Sequence, residues 1–253
     1  MYRIWLNITR IAVNKIEFTC QHKHRFYPKP SPISGSIPDW WRDMPIFNED
    51  NNTYIHVKGH TVKACVPCLD TLRTGYVIPM WCDLAAGLDA NDNHMLEWRP
   101  SEVKGDIVHE RPWQGFTNPD TGTGLPGTEE AASPNGVILL SPWQIKTPEG
   151  YSCLFMPVLN ANLPLQFSAG IVNTDSYYNR INFPFFIKDK WKGTIKKGTP
   201  LIQIIPFKRD EWEHDVRVMT EQDTEDLELV QARIENQFYN GYLENHSCPV
   251  KHT

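Results

Sequence analysis

Apolar positions in this chain fall into short runs divided by turn residues, and the clearest series lies between Ile145 and Lys208. It reads IKTPEGYSCLFMPVLN, FSAGIVNTDSYYNRINFPFFI and WKGTIKKGTPLIQIIPFK, each rich in β-branched or aromatic residues. Pro-Glu-Gly, Asn-Thr-Asp-Ser and Lys-Lys-Gly interrupt the series. Such residues turn a chain because proline presets φ, glycine tolerates positive φ, and Asn, Asp and Ser bond to nearby backbone. The pattern predicts a β-sheet core joined by tight turns. Upstream, residues 2–19 alternate, with Ile4, Leu6, Ile8, Ile16 and Phe18 as candidates for one face, which predicts a first strand. Further strands are predicted from Tyr54 onward and over 76–84, with a short helical turn over 67–72 and an edge strand over 94–100.

Three stretches break this pattern. Residues 27–45 hold five prolines in nineteen positions, which excludes a central strand or a long helix and predicts an extended arm. Trp40 and Trp41 offer that arm a large apolar anchor on the protein's own core. Residues 114–136 are rich in Gly, Pro, Thr and Asp with little to bury, which predicts a long exposed loop or a lid. After residue 220 the period changes to that of a helix. Thr224 is the expected N-cap, Gly241 the expected end, and Leu227, Val230, Ile234 and Phe238 form a stripe expected to dock on the core. The expected organisation is one elaborated mainly β domain: strand and Pro/Trp arm over 1–50, β core over 51–219, helix and tail over 220–253.

Composition supports a packed soluble domain, with 253 residues, 40% apolar, 11% aromatic and 22% charged. A net charge of −5 gives no general electrostatic case for nucleic acid or an anionic membrane. The N-terminus lacks the apolar run and small-residue cleavage site of a signal peptide, and no stretch is long and apolar enough to span a bilayer. Six scattered cysteines in a chain of this size need not be staples, so a reducing interior is expected. The expected location is the cytoplasm of a bacterial host, or a virion.

Candidate chemistry is sparse. Cys65-Val-Pro-Cys68 has the spacing of a zinc-binding pair, but a structural site needs two more ligands; Cys82 or the Cys20-Gln-His22-Lys-His24 group would have to supply them. His22 and His24, two apart, would share a strand face, and with His56, His60, His109, Asp83 or Glu97 could form a cupin-like iron site. Partly buried cysteines and solvated histidines account for the same residues, so no metal is assigned. Nucleophile-elbow, Walker and Rossmann fingerprints are absent. Gln203 stands alone as a polar residue in the apolar run LIQII, where its amide needs partners.

Gly170 to Ile187 (GIVNTDSYYNRINFPFFI), followed by IKKGTPLIQIIPF, resembles the closing part of a dUTPase or dCTP-deaminase-type domain. Lys197, Gly198, Leu201, Gln203 and Ile204 match that family's last motif in register, and Thr147 to Tyr151 resembles its proline-glycine hairpin. The resemblance covers residues 145–207 and implies a jelly-roll or dUTPase-like β domain, commonly trimeric. It also implies a diverged nucleotide-handling hydrolase, with Asp175 orienting water or associated with Mg²⁺, Tyr177 stacking on a base and Gln203 in the shell. The sequence departs from the family where chemistry is concerned. Asn173 replaces the first carboxylate, and an amide takes up no proton near neutral pH. Ser176 displaces Tyr177, PVLNANLPLQF stands in place of an Arg-Ser-Gly phosphate motif, and an acidic helix replaces a glycine-rich tail.

Over most of its length the chain is also similar to a family of phage and bacterial proteins with no assigned activity, through IPDWW at 37–41, KACVPCLDTLRTGYVIP at 63–79, SPWQIKTPEGYSCLF at 141–155 and KGTPLIQIIPFKRDEW at 197–212. Together these features lead to the expectation of a binding or assembly protein, a phage accessory or virion-associated component that self-associates, as a trimer where the family resemblance is followed, or joins other phage proteins. The nucleotide-handling hydrolase and the cupin-like oxygenase are the alternatives.

Overall fold

A computed structural model describes residues 14–47, 61–91, 94–99, 108–109, 137–177, 179–188 and 191–236. The described elements are β1 (Glu17–Cys20), β2 (Ser31–Pro32), α1 (Asp39–Asp43), α2 (Val66–Arg73), β3 (Tyr76–Pro79), β4 (Asp83–Leu88), β5 (His94–Arg99) and β6 (Val108–His109). They continue with β7 (Val137–Lys146), β8 (Tyr151–Pro157), β9 (Leu165–Phe167), β10 (Gly170–Val172), β11 (Arg180–Ile187), β12 (Gly193–Ile195), β13 (Pro200–Lys208) and α3 (Glu221–Asn236). The expected fold class is met: the chain is mainly β, in antiparallel sheets, with a C-terminal helix. The strand expected near Tyr54, the 114–136 loop, His56, His60, Phe238, Gly241 and the first positions of the N-terminal strand lie outside the described residues.

Alternation decides which side chains enter the core. Along β11, Ile181, Phe183 and Phe185 are buried while Asn182 is exposed, the period-two signature of a sheet with one covered face. One sheet runs β1-β7-β11-β9, with β6 also on β7. A second runs β10-β8-β13-β3-β2, and a third β12-β4-β5. A single cluster draws on all three, including Trp81, Leu84, Trp98, Leu139, Phe155, Phe183 and Ile202.

Strand β13 lies at the centre of its sheet, and Leu201, Ile202, Gln203 and Ile204 are all buried because both of its faces are covered. A second cluster, Ile33, Val77 and Val158, fills one of those faces. The Pro-rich arm supplies Ile33 and pairs through β2 with β3. As expected of an anchor, Trp41 is buried; Trp40 meets it edge-on at 5.6 Å and donates its Nε1–H to Asn160 O at 3.1 Å.

Two element expectations need correction. The strand expected over 76–84 is two strands in different sheets. After Pro79 the chain leaves β13, and Met80 exchanges backbone hydrogen bonds with the β12–β13 turn, its N–H to Thr199 O and its C=O to Gly198 N. It then joins the third sheet at Asp83. The C-terminal helix begins at Glu221, with Thr224 inside it. Thr220 caps it instead: its hydroxyl accepts the Asp223 N–H at 3.2 Å and Asp223 Oδ2 accepts the Thr220 N–H at 2.8 Å, a capping box.

Of the stripe expected to dock, Leu227 is 40% exposed and Val230 is half-buried, so its described part is only partly covered. Residues 209–220 carry no helix, strand or turn, and Trp212, Val216 and Val218 are 89%, 89% and 90% exposed. Among the described residues no helix is long and apolar enough to cross a membrane.

Candidate functional site

Two turns of the predicted core and the end of β13 converge around Asp175. The β7–β8 hairpin turns on Pro148 to Gly150, where Gly150 has φ +81°, a conformation that favours glycine. The β10–β11 connection turns on Thr174 to Ser176, with Tyr177 N–H bonded to Asn173 O at 2.8 Å. The third participant is Arg209, the residue after β13.

Asp175 joins all three. Its Oδ2 accepts the Gly150 N–H at 2.9 Å and pairs with Arg209 Nη2, while Oδ1 accepts from Arg209 Nη1 at 3.2 Å. The same Nη1 reaches Tyr151 O and Ser152 Oγ, both at 2.8 Å. The Asp175 side chain is only 8% exposed. The Arg209 guanidinium, aided by the Gly150 N–H, holds its carboxyl down at about 2, against the effect of desolvation. Arg209 is correspondingly raised by the same bond.

Neutral hydroxyls complete the cluster. Ser152, fully buried, donates to Asn173 Oδ1 at 2.8 Å. Thr147 and Thr174, also buried, share a hydroxyl contact of 2.7 Å, and Thr174 Oγ1 lies 3.3 Å from Cys153 Sγ. Asn173 is thus an acceptor for a serine. The arrangement contains an ionised, paired carboxylate and several hydroxyls. It lacks the poised base that general acid–base work at neutral pH needs, because a group titrating near 2 is a weak proton acceptor there.

The other expected site residues are dispersed. Tyr177 follows the Asp175 turn and is 43% exposed. Arg180 turns toward β7, donating to Ser141 O at 2.7 Å and Leu140 O at 3.3 Å. Gln203 is buried elsewhere, and both ends of its amide are engaged. Its Nε2 donates to Thr71 O and Thr74 O, each at 2.9 Å, and its Oε1 accepts the Leu159 N–H at 3.0 Å. It clasps the end of α2 and the loop after β8 onto β13.

The metal candidates among the described residues do not converge either. His22 and His24 lie in a 3-10 turn and not on a strand, so the two-residue spacing does not put them on one side. His22 is exposed and contacts Arg25 at 2.8 Å through Nδ1, while His24 is buried and stacks on Tyr27 at 5.4 Å. Asp83 accepts from Lys197 N and Lys196 Nζ, and Glu97 from Arg99. Cys65 and Cys68 sit at the start of α2, where the contact with Cys65 and partial burial raise the Cys68 thiol. Cys82 is buried, and its thiol is pushed up to about 12 by that burial. Among the described residues no three His, Cys, Asp or Glu side chains gather closely enough to hold a metal ion.

Sequence reasoning found Asp175 and missed its partner Arg209 and the neighbouring hydroxyls of Ser152, Thr147 and Thr174. Arg209 opens the acidic run RDEWEHD, and nothing in that context marks it as reaching back across 34 positions.

Comparison with known proteins finds no matching family model. No curated protein matches either. Among solved structures, the chain is similar to the Staphylococcus bacteriophage 80alpha dUTPase bound to dUPNHPP, at 10% identity and a TM-score of 0.35, over 83% of this chain and 91% of that one. A variant of the same dUTPase gives 10% identity and a TM-score of 0.35, over 83% and 99%.

Proposed function

We propose that this chain is a binding or assembly protein on a β body of dUTPase type, acting with further copies of itself or with other phage proteins in a host cytoplasm or a virion. The observation that supports this most is the condition of Asp175. The carboxylate that a nucleotide-handling reading needs to orient water or hold Mg²⁺ is spent joining two turns and the end of β13, with Arg209 occupying both of its oxygens. Asn173 beside it is an amide, and Gln203 is consumed in a buried clasp.

Turns stapled in this way present a fixed edge of the molecule, which suits docking better than proton transfer. A thermal-shift screen against the common deoxynucleoside triphosphates, with and without Mg²⁺, tests the reading. A protein of this kind shows no stabilisation by any of them, whereas a binder raises its melting temperature in proportion to ligand excess. A saturable shift that needs Mg²⁺ would restore the hydrolase reading.

A further inference from the structure

Residues 209–236 are unlike the rest of the chain in two respects. The first is exposure. Trp212, His214, Val216 and Val218 alternate with Glu213, Asp215 and Arg217, the period of a strand with one apolar side, yet this strap has no strand partner among the described residues. Its three large apolar side chains on that side are about nine-tenths exposed, at 89%, 89% and 90%. The second is charge. The segment holds ten acidic and three basic residues, a net −7 where the whole chain is −5, so the remaining residues sum to +2.

The fold places an acceptor at the opposite end of β13. Among the described residues strand β12 is the edge of the third sheet, and it is flanked by the exposed Lys192, Lys196 and Lys197. Among the described residues Lys196 pairs with Asp83 at 3.1 Å. An edge strand offers unpaired N–H and C=O groups to an added strand. The nine residues of β13 separate β12 from Arg209, a distance of about 30 Å at the usual rise. The strap leaves from the far end and its exposure shows that it does not fold back.

Twelve extended residues reach up to ~40 Å, more than twice the radius of gyration of about 16 Å expected for a body of this size. Strap and helix together make 28 residues, and a specific interface uses about 20–30 a side.

We infer that the strap of one copy adds to the lysine-flanked β12 edge of a second copy, its acidic side meeting Lys192 and Lys197 and its Trp212–Val216–Val218 side withdrawn from water. This rests on the assembly reading above and names its partner as a second copy of this chain. Opposite charge at the two ends fixes the direction of docking and speeds encounter.

Sedimentation velocity on the full chain at micromolar concentration tests it. The wild type sediments as a multiple of 29.2 kDa. Both a Trp212→Ala/Val216→Asp/Val218→Asp variant and a Lys192→Glu/Lys197→Glu variant sediment as monomers that keep a cooperative thermal transition, because every altered side chain is exposed. Adding Glu213→Lys/Asp215→Lys to the lysine variant restores the multiple. A monomeric wild type overturns the inference, and so does either variant that keeps the multimer or a charge exchange that fails to rescue. Zero-length carboxyl–amine crosslinking between isotopically light and heavy wild-type chains reads the same contact without substitution; crosslinks confined to one chain overturn it. Nucleotide turnover by a multimer would refute the assembly function and leave the strap contact standing.

Discussion

Gln203 and Asp175 are the residues where two accounts of this chain make opposite predictions. Gln203→Leu removes the acceptor of the Leu159 N–H and takes the amide donor from Thr71 O and Thr74 O. Buried orphans cost about 1–3 kcal/mol each, so a loss of about 2–4 kcal/mol in urea unfolding is expected. A shell residue for nucleotide would instead alter ligand affinity and leave stability nearly unchanged. Asp175→Asn lowers the melting temperature by opening the Arg209 pair. The carboxyl titrates at about 2 when folded and near 3.9 when unfolded. Its contribution is therefore present in full above the unfolded value and is lost as pH falls through the folded one. The gap in melting temperature between wild type and Asp175→Asn should be constant from neutral pH down to about 5 and close between about 4 and 2.

Strand patterning was the most legible level of the sequence. The series from Ile145 to Lys208 became β8 through β13 with its three turns where Pro-Glu-Gly, Asn-Thr-Asp-Ser and Lys-Lys-Gly stand, because alternation and turn chemistry are local. The break between β3 and β4 was not legible, since an apolar run reads alike whether it stays in one sheet or crosses to another. The cap of α3 was present as Thr220-Glu-Gln-Asp223, but Thr224 competed with it as a signal of the same kind. His22 and His24 misled because a spacing of two has meaning only on a strand.

Gly75 shows an element-level demand that the sequence hides. It has φ +85°, and a Cβ there would lie 2.1 Å from Ile204 O, where the entry to β3 crosses β13. Gly75→Ala combines left-handed backbone strain with a clash against backbone, a loss of about 3 kcal/mol or more in chemical denaturation. A value below about 1 kcal/mol would mean that this crossing is loose, since an unstrained glycine replacement is nearly neutral.

For the whole molecule, the β body and its C-terminal segment are separate in character. The body is closed by buried apolar side chains from three sheets, whereas residues 209–236 are acidic and largely uncovered. Sequence could show the acid and the alternation, but exposure is a property of the folded chain and only the structure supplies it. The convergence of Thr147, Ser152, Thr174, Asp175 and Arg209 is likewise three-dimensional, and the proposed function rests on its separating a dUTPase-like motif from dUTPase-like chemistry. Hydrolysis of dUTP and dCTP by the purified full chain with Mg²⁺, followed as pyrophosphate release, tests that separation most directly. The account predicts no release above a protein-free control for wild type or for Asp175→Asn; release by the wild type, above all release abolished by Asp175→Asn, would contradict it.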